Sequence, residues 1–128
     1  MAKELSINLP NKPGQLALLA DTLGKAGVNI TALSASTTGP KGVVRVVVDE
    51  PGKAKRALKS AKVRVSQERD VLEVRLRNKP GALARVAKRL GKAKVNIDSA
   101  YLLAADRKRA VAAIGVKNVR AAKKALGR

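Results

Sequence analysis

Residues 4–9 alternate polar and apolar: Glu4, Ser6 and Asn8 lie on one side and Leu5, Ile7 and Leu9 on the other. This is the period of a β-strand with one face on a core and one in solvent. Leu72, Val74 and Leu76 repeat it. After Pro13 the period lengthens. Leu16, Leu19, Ala20 and Leu23 follow the spacing of an amphipathic helix that Gly27 ends, and Leu83, Val86, Ala87 and Leu90 do the same further on. Strands are expected at about 30–37 and 97–104. Gly39-Pro40-Lys41-Gly42 signals a turn before the β-branched run 43–48, which makes a hairpin, and a basic counterpart turn falls near 106–108. Asp49-Glu50-Pro51 opens a helix through Ala54, Ala57 and Leu58, matched by one over 119–126, and 62–66 reads as a closing strand.

The two series are copies. Fifteen of the 22 residues in 9–30 recur in order in 76–97, an offset of 67, including Asn-Lys-Pro-Gly at 11–14 and 78–81 and Val-Asn-Ile at 28–30 and 95–97. A period this long indicates a duplicated domain, because solenoid units run to about 20–50 residues. Past the hairpin the offset becomes 68, so the second copy gains a residue around that turn. The layout is βαββαβ over 1–67 and βαββα over 68–128. It predicts an α+β protein of two ferredoxin-like units, each an antiparallel sheet with its helices on one face, the second lacking its last strand. That leaves a sheet edge for a partner to cover, so a homodimer is expected.

Units this small bury little surface alone. With no Phe or Trp and only Tyr101, their cores must be Leu, Val, Ile and Ala. The absence of Cys and His removes disulfides, thiolate chemistry and the usual zinc ligands, so no metal or cofactor is expected. Asp49, Glu50, Asp98 and Asp106 form no evident catalytic pair, and 39–42 lacks the spacing and following helix of a phosphate loop, which argues against an enzyme. The start, Met-Ala-Lys-Glu, carries no apolar leader and no stretch reaches the roughly 18 apolar residues of a membrane span. A cytoplasmic protein without a membrane partner is expected.

Net charge is +19, with 11 basic and four acidic residues in 1–67 and 17 and five in 68–128. Arg85, Lys88, Arg89 and Lys92 form a helical basic stripe, Arg120, Lys123 and Lys124 add to it, and Lys53, Lys55, Arg56 and Lys59 are a weaker equivalent in the first copy. Such faces are often simply solvated, yet they also fit salt-sensitive nucleic-acid binding, the alternative function. One tyrosine gives no stacking platform for single strands.

Asn11-Lys12-Pro13-Gly14 with Val28-Asn29-Ile30, and Asn78-Lys79-Pro80-Gly81 with Val95-Asn96-Ile97, resemble a tandem pair of ACT domains over nearly the whole chain. The resemblance implies allosteric sensing of a small amino acid held between paired units, and regulation of a partner enzyme. Asn11, Lys12, Pro13, Gly14, Asn78, Lys79, Pro80 and Gly81 would hold the ligand, with Asn29, Ile30, Asn96 and Ile97 reaching it from the neighbouring unit. Relatives that sense serine carry a histidine two residues before the motif Asn. Leu9 and Leu76 stand there in this chain, so serine specificity is not implied.

The residue chemistry agrees. A helix N-terminus offers unpaired N–H groups to a carboxylate, Gly14 and Gly81 permit close approach, and Asn offers both donor and acceptor. Lys12 and Lys79 at the positive helix end are disfavoured by about 0.3–1 kcal/mol, which an anion would relieve. The same residues also suit a structural use, with Asn as helix N-cap, Pro in the first turn, and Asn29 and Asn96 as helix-exit residues. Asp98 stands where the first copy has Thr31, so the two sites need not be equivalent.

Overall fold

The structure, a computed structural model, describes residues 3–127, which divide between Glu68 and Arg69 into two compact units. Unit 1 contains β1 (Lys3–Pro10), α1 (Gln15–Lys25), β2 (Ile30–Thr38), β3 (Lys41–Val48), α2 (Pro51–Ser60) and the first residues of β4 (Val65–Arg77). Unit 2 takes the rest of β4, then α3 (Ala82–Lys92), β5 (Ser99–Ala105), β6 (Arg109–Gly115) and α4 (Val119–Ala125). The six antiparallel strands and four helices make two ferredoxin-like units.

β3 is central in unit 1 and β6 in unit 2. Ile7 of β1 and Ala35 of β2 both lie opposite Val44, and Val74 of β4 and Leu102 of β5 both lie opposite Ala112. Each sheet packs its apolar face on a helix pair. Leu5, Ile7, Leu19, Leu23, Val46 and Leu58 are fully buried in unit 1; Leu90, Ile114, Val116 and Ala122 are the most enclosed of the unit 2 core cluster. Each large aliphatic side chain so buried contributes about 1.5–3 kcal/mol.

The end of α1 explains how Val-Asn-Ile is presented. Gly27 at φ 74° closes a Schellman turn, with its N–H on the Gly24 carbonyl and that of Val28 on the Leu23 carbonyl, both at 3.0 Å. This drives Val28 into the core and leaves Asn29 outside. Unit 2 repeats the turn with Lys94 at φ 60° in the glycine position, and Lys62 does so after α2.

Several expectations are corrected. The closing strand placed at 62–66 is not separate from the strand carrying Leu72. With Lys62 in the turn and no Gly or Pro between Val65 and Arg77, one 13-residue strand, β4, continues from unit 1 into unit 2. The polar side of β1 is solvated only at Asn8: Glu4 and Ser6 are buried, and the start of β4 lies beside them, with Ser66 Oγ donating to the Ser6 carbonyl at 3.1 Å. Leu16, Ala20, Leu83 and Ala87 do not join the cores but stay exposed; the sheet-facing line of α1 is Leu19 and Leu23, and that of α3 is Leu90 with Val86 half-buried. The strand expected from 97 begins at Ser99, because Asp98 is tied locally to Asn96. After α4 the described residues hold no further strand.

Candidate functional site

The two Asn-Lys-Pro-Gly segments fold alike. Asn11 sits at the centre of a three-residue turn in which the Lys12 N–H reaches the Pro10 carbonyl, and its own N–H donates to the Pro40 carbonyl, both at 2.9 Å. Lys12, Pro13, Gly14 and Gln15 then form a type II turn. Gly14 has φ 86° and ψ −8°, and the Gln15 N–H meets the Lys12 carbonyl at 3.4 Å. Pro presets its second position and the third needs the left-handed region, so Pro-Gly is what this turn requires. Gly81 repeats it at φ 85° and ψ −11°.

The N-cap expectation for Asn11 and Asn78 is therefore overturned. The caps are Gly14 and Gly81, which offer no side-chain acceptor, because the type II turn inserts two residues between each Asn and its cap. The asparagines brace the neighbouring hairpin instead. Asn11 Nδ2 donates to the Gly39 carbonyl at 3.0 Å, and Asn78 Nδ2 to the Asp106 carbonyl. The Asn78 N–H goes to the Lys108 carbonyl, so the residue gained by the second copy is Arg107. Asp106 Oδ1 accepts from the N–H groups of Arg109 and Lys108, which holds this carboxylate below its ordinary range.

Helix geometry leaves the first four N–H groups without helical partners. In α1 the Gln15 N–H is used by the turn and that of Leu18 reaches Gly14, which leaves Leu16 and Ala17 without acceptors among the described bonds; Leu83 and Ala84 are left likewise in α3. A cleft of about 110 Å³ adjoins this helix start in unit 1, between Pro10, Asn11 and Lys12 on one side and Gln15, Leu16, Ser36 and Thr37 on the other. Its opening above Leu9 and Val44 explains why Leu16 stays exposed. In unit 2 a different cleft, of about 360 Å³, borders Asn78 on the side of the hairpin turn; its other lining residues, Arg77, Lys79, Lys108 and Arg109, are all basic, and no α3 residue lines it. Sequence reasoning missed Gln15, Ser36 and Thr37, whose only signal was their polarity beside the turn residues.

Asn29 and Asn96 lie elsewhere in their units. Asn11 stands beyond the pairing of Pro10 with Lys41, and Asn29 beyond that of Ile30 with Val48. Seven strand steps separate those ends of β3, about 23 Å at 3.3 Å per residue. No single unit brings the pair together. At the second end, the Asn29 N–H donates to Asp49 Oδ1 at 3.2 Å while Ile30 packs on the core. In unit 2, Asn96 Nδ2 donates to Asp98 Oδ1 at 3.0 Å, and Asp98 Oδ2 is 3.7 Å from Arg69 Nε. This half-buried ion pair fits because Gly115 carries no side chain: a Cβ there would overlap Ser99 Oγ and lie 2.9 Å from Arg69 Cδ. Unit 1 places Val47 and Thr31 at the matching positions, so the two ends differ in chemistry. Ile97 packs against the unit 2 core.

The basic stripe is where the spacing put it: Arg85, Lys88, Arg89 and Lys92 are exposed along α3, and Arg120 and Lys124 on α4 are exposed with Lys123 half-buried. Among the described residues no group of three metal-ligating side chains occurs, and no helix is long and apolar enough to cross a membrane.

A family model described as an ACT domain pair matches residues 1–124. Among solved structures, protein BT0572 from Bacteroides thetaiotaomicron is similar at 34% identity and a TM-score of 0.86, with 98% of this chain and 85% of that one covered. The ligand-free regulatory subunit of aspartate kinase from Thermus thermophilus shows 20% identity and a TM-score of 0.73, covering 98% and 90%. The corresponding subunit from Thermus flavus shows 18% and 0.68, also covering 98% and 90%. At such identities the two subunits attest the fold alone. No curated protein matches the sequence.

Proposed function

The chain belongs to the ACT-domain-pair family, and from that premise we propose that it is a non-catalytic regulatory module that binds a small amino acid where β1 turns into α1. The carrying observation is the free Leu16 and Ala17 N–H pair at an uncapped helix start, beside a cleft that Asn11 borders and in which Lys12 is the one charged lining residue. In this reading the ligand carboxylate takes the two N–H groups and its ammonium meets Asn11 Oδ1. Gly14 keeps the approach open, since a Cβ built there meets nothing within 4 Å.

At about 110 Å³ the cleft has the volume of roughly four waters, enough for the backbone end of an amino acid. The remainder of the site comes from a second unit presenting Asn29 or Asn96, and a homodimer is the arrangement proposed for it. Unit 1 is the amino-acid site of first rank, because the cations around Asn78 favour a more anionic ligand. The aspartate kinase subunits, regulatory by their description, support a role in which occupancy is passed to a partner enzyme.

A thermal-shift panel of the twenty amino acids tests this. At about 100 times its Kd a ligand adds about 2.7 kcal/mol of stability, a shift of several degrees in a domain of this size. One amino acid, or a few related ones, should raise Tm, and Asn11→Ala should abolish the rise. No shift from any of the twenty, or a shift that survives both Asn11→Ala and Asn78→Ala, overturns the proposal.

A further inference from the structure

The hairpin turn of unit 2 gathers chemistry that amino-acid binding does not use. Arg77, Lys79, Lys108 and Arg109 line the cleft of about 360 Å³ that borders Asn78. Among the described residues none of these four cations has an ion pair with a carboxylate. Asp106, the one acid of the turn, has its Oδ1 engaged by the N–H groups of Lys108 and Arg109. Arg77 and Arg109 lie directly opposite each other in the β4–β6 ladder. Such a pair has its Cα atoms about 4.5–5.5 Å apart, and like charges placed there are destabilising. Both walls are also anchored. Asn78 donates its N–H to the Lys108 carbonyl and its Nδ2 to the Asp106 carbonyl, while the Asp106 N–H reaches the Arg109 carbonyl at 2.8 Å. Two fixed backbone segments thus hold like charges together, an arrangement that an anion between them relieves.

The duplication provides an internal control. The positions of unit 1 that match Arg77, Lys79, Lys108 and Arg109 hold Pro10, Lys12, Pro40 and Lys41. Pro10 lies opposite Lys41, so no like-charged pair faces itself there. The same turn and hairpin form with half the cations, and the fold does not require the arginine pair.

We propose that this cleft binds a diphosphate group, free or carried on a small molecule. A phosphoryl group brings a charge of about −1.5 to −2 at neutral pH, so two of them match four cations and one does not. The arginine forks suit phosphoryl oxygens bidentately, and the lysines add point charges. At about 360 Å³ the cleft has the volume of about a dozen waters, room for two phosphoryl groups. No aromatic side chain lines it to stack on a base, so it reads the diphosphate and not a nucleoside attached to it. A nucleic-acid strand is the poorer occupant, because each of its linking phosphates carries a single charge. No α3 residue lines the cleft, so the site stands apart from the helix start, and its test uses no amino acid.

The experiment is isothermal titration calorimetry of the full chain with inorganic pyrophosphate, orthophosphate and adenosine diphosphate, in magnesium-free chloride buffer at ~0.15 M salt. Saturable binding of pyrophosphate and of adenosine diphosphate is expected, with orthophosphate about tenfold weaker or more. Arg77→Gln/Arg109→Gln should weaken pyrophosphate about tenfold, and Lys88→Gln/Lys92→Gln, the same charge change on α3, less than about twofold. All of these positions are exposed, so folding is retained. In the same buffer without ligand Arg77→Gln should raise Tm, because it removes the like-charged pair, so stability and affinity move in opposite directions. No saturable pyrophosphate binding up to the millimolar range, equal affinity for orthophosphate, binding of adenosine diphosphate alone, or equal weakening by the two double variants overturns the proposal. So does a lower Tm for Arg77→Gln, or binding of a short duplex DNA that Arg77→Gln/Arg109→Gln weakens more than it weakens pyrophosphate.

Discussion

Gly14 and Gly24 stand ten residues apart in the same segment, and alanine at the two should have opposite effects. A Cβ built on either meets nothing within 4 Å, so neither substitution creates a clash. The backbone alone separates them. Gly14 lies at φ 86° in the type II turn, whereas Gly24 is within α1 at an ordinary helical φ. Alanine in the left-handed region costs about 1–2 kcal/mol, and the lower entropy of the unfolded chain returns about 0.4–1 kcal/mol. Gly14→Ala should therefore destabilise by about 1 kcal/mol. Gly24→Ala should stabilise by about 0.5–1 kcal/mol, the difference between Ala and Gly in a helix interior. Urea unfolding followed by circular dichroism measures both; with a slope near 2 kcal/mol/M, the midpoints should part by about 1 M. Gly81→Ala and Gly91→Ala should repeat the contrast in unit 2. Midpoint shifts of the same sign for Gly14→Ala and Gly24→Ala refute the reasoning.

Lys62→Gly and Lys94→Gly should each stabilise by about 1 kcal/mol, since both residues occupy left-handed helix-exit positions at φ 60° that glycine fills without penalty; unchanged urea midpoints would count against this. Gly115→Ala should cost about 1–3 kcal/mol through overlap with Ser99 and Arg69, and Ser99→Gly in the same chain should recover part of it. Glu68 accepts from Lys55 at 2.8 Å and lies 3.1 Å from Lys3, contacts that hold its carboxyl below the ordinary 4.5. A lowered folded pKa gives stability that is present above about pH 4.5 and fades as pH falls through the folded value. Glu68→Gln should thus lose about 1 kcal/mol at neutral pH and nothing near pH 2, with a uniform loss at both pH values refuting the pairing.

Both units were legible in the sequence because their signals are local. Period-2 runs at Leu5, Ile7 and Leu9, the Gly39-Pro40 turn, Pro51 at the start of α2 and Gly27 at the end of α1 each declare an element without reference to anything distant. What escaped is non-local. That β4 runs unbroken through 67–70 depends on the strands it flanks, and nothing in residues 4–6 announces that Glu4 and Ser6 are covered. The candidate site divides in the same way. Pro13-Gly14 points to the turn and the exposed helix start, but the structural use of Asn11 is not the N-cap that its place before Pro-Gly suggests, because its partner, the Gly39 carbonyl, is 28 residues away. The Arg69–Asp98 pair and the glycine that admits it join the interior of β4, the start of β5 and the end of β6, a coincidence invisible along the chain.

Ligand binding at the helix start is tested most directly by nuclear magnetic resonance of the backbone amides as each amino acid is added. The amides of Gln15, Leu16 and Ala17 should shift with a saturable dose dependence for at least one amino acid, and Asn11→Ala should remove the shift. Amide positions in 14–17 and 81–84 that stay unmoved by all twenty, at concentrations up to the millimolar range, would mean that the exposed helix starts of this ACT pair bind no amino acid.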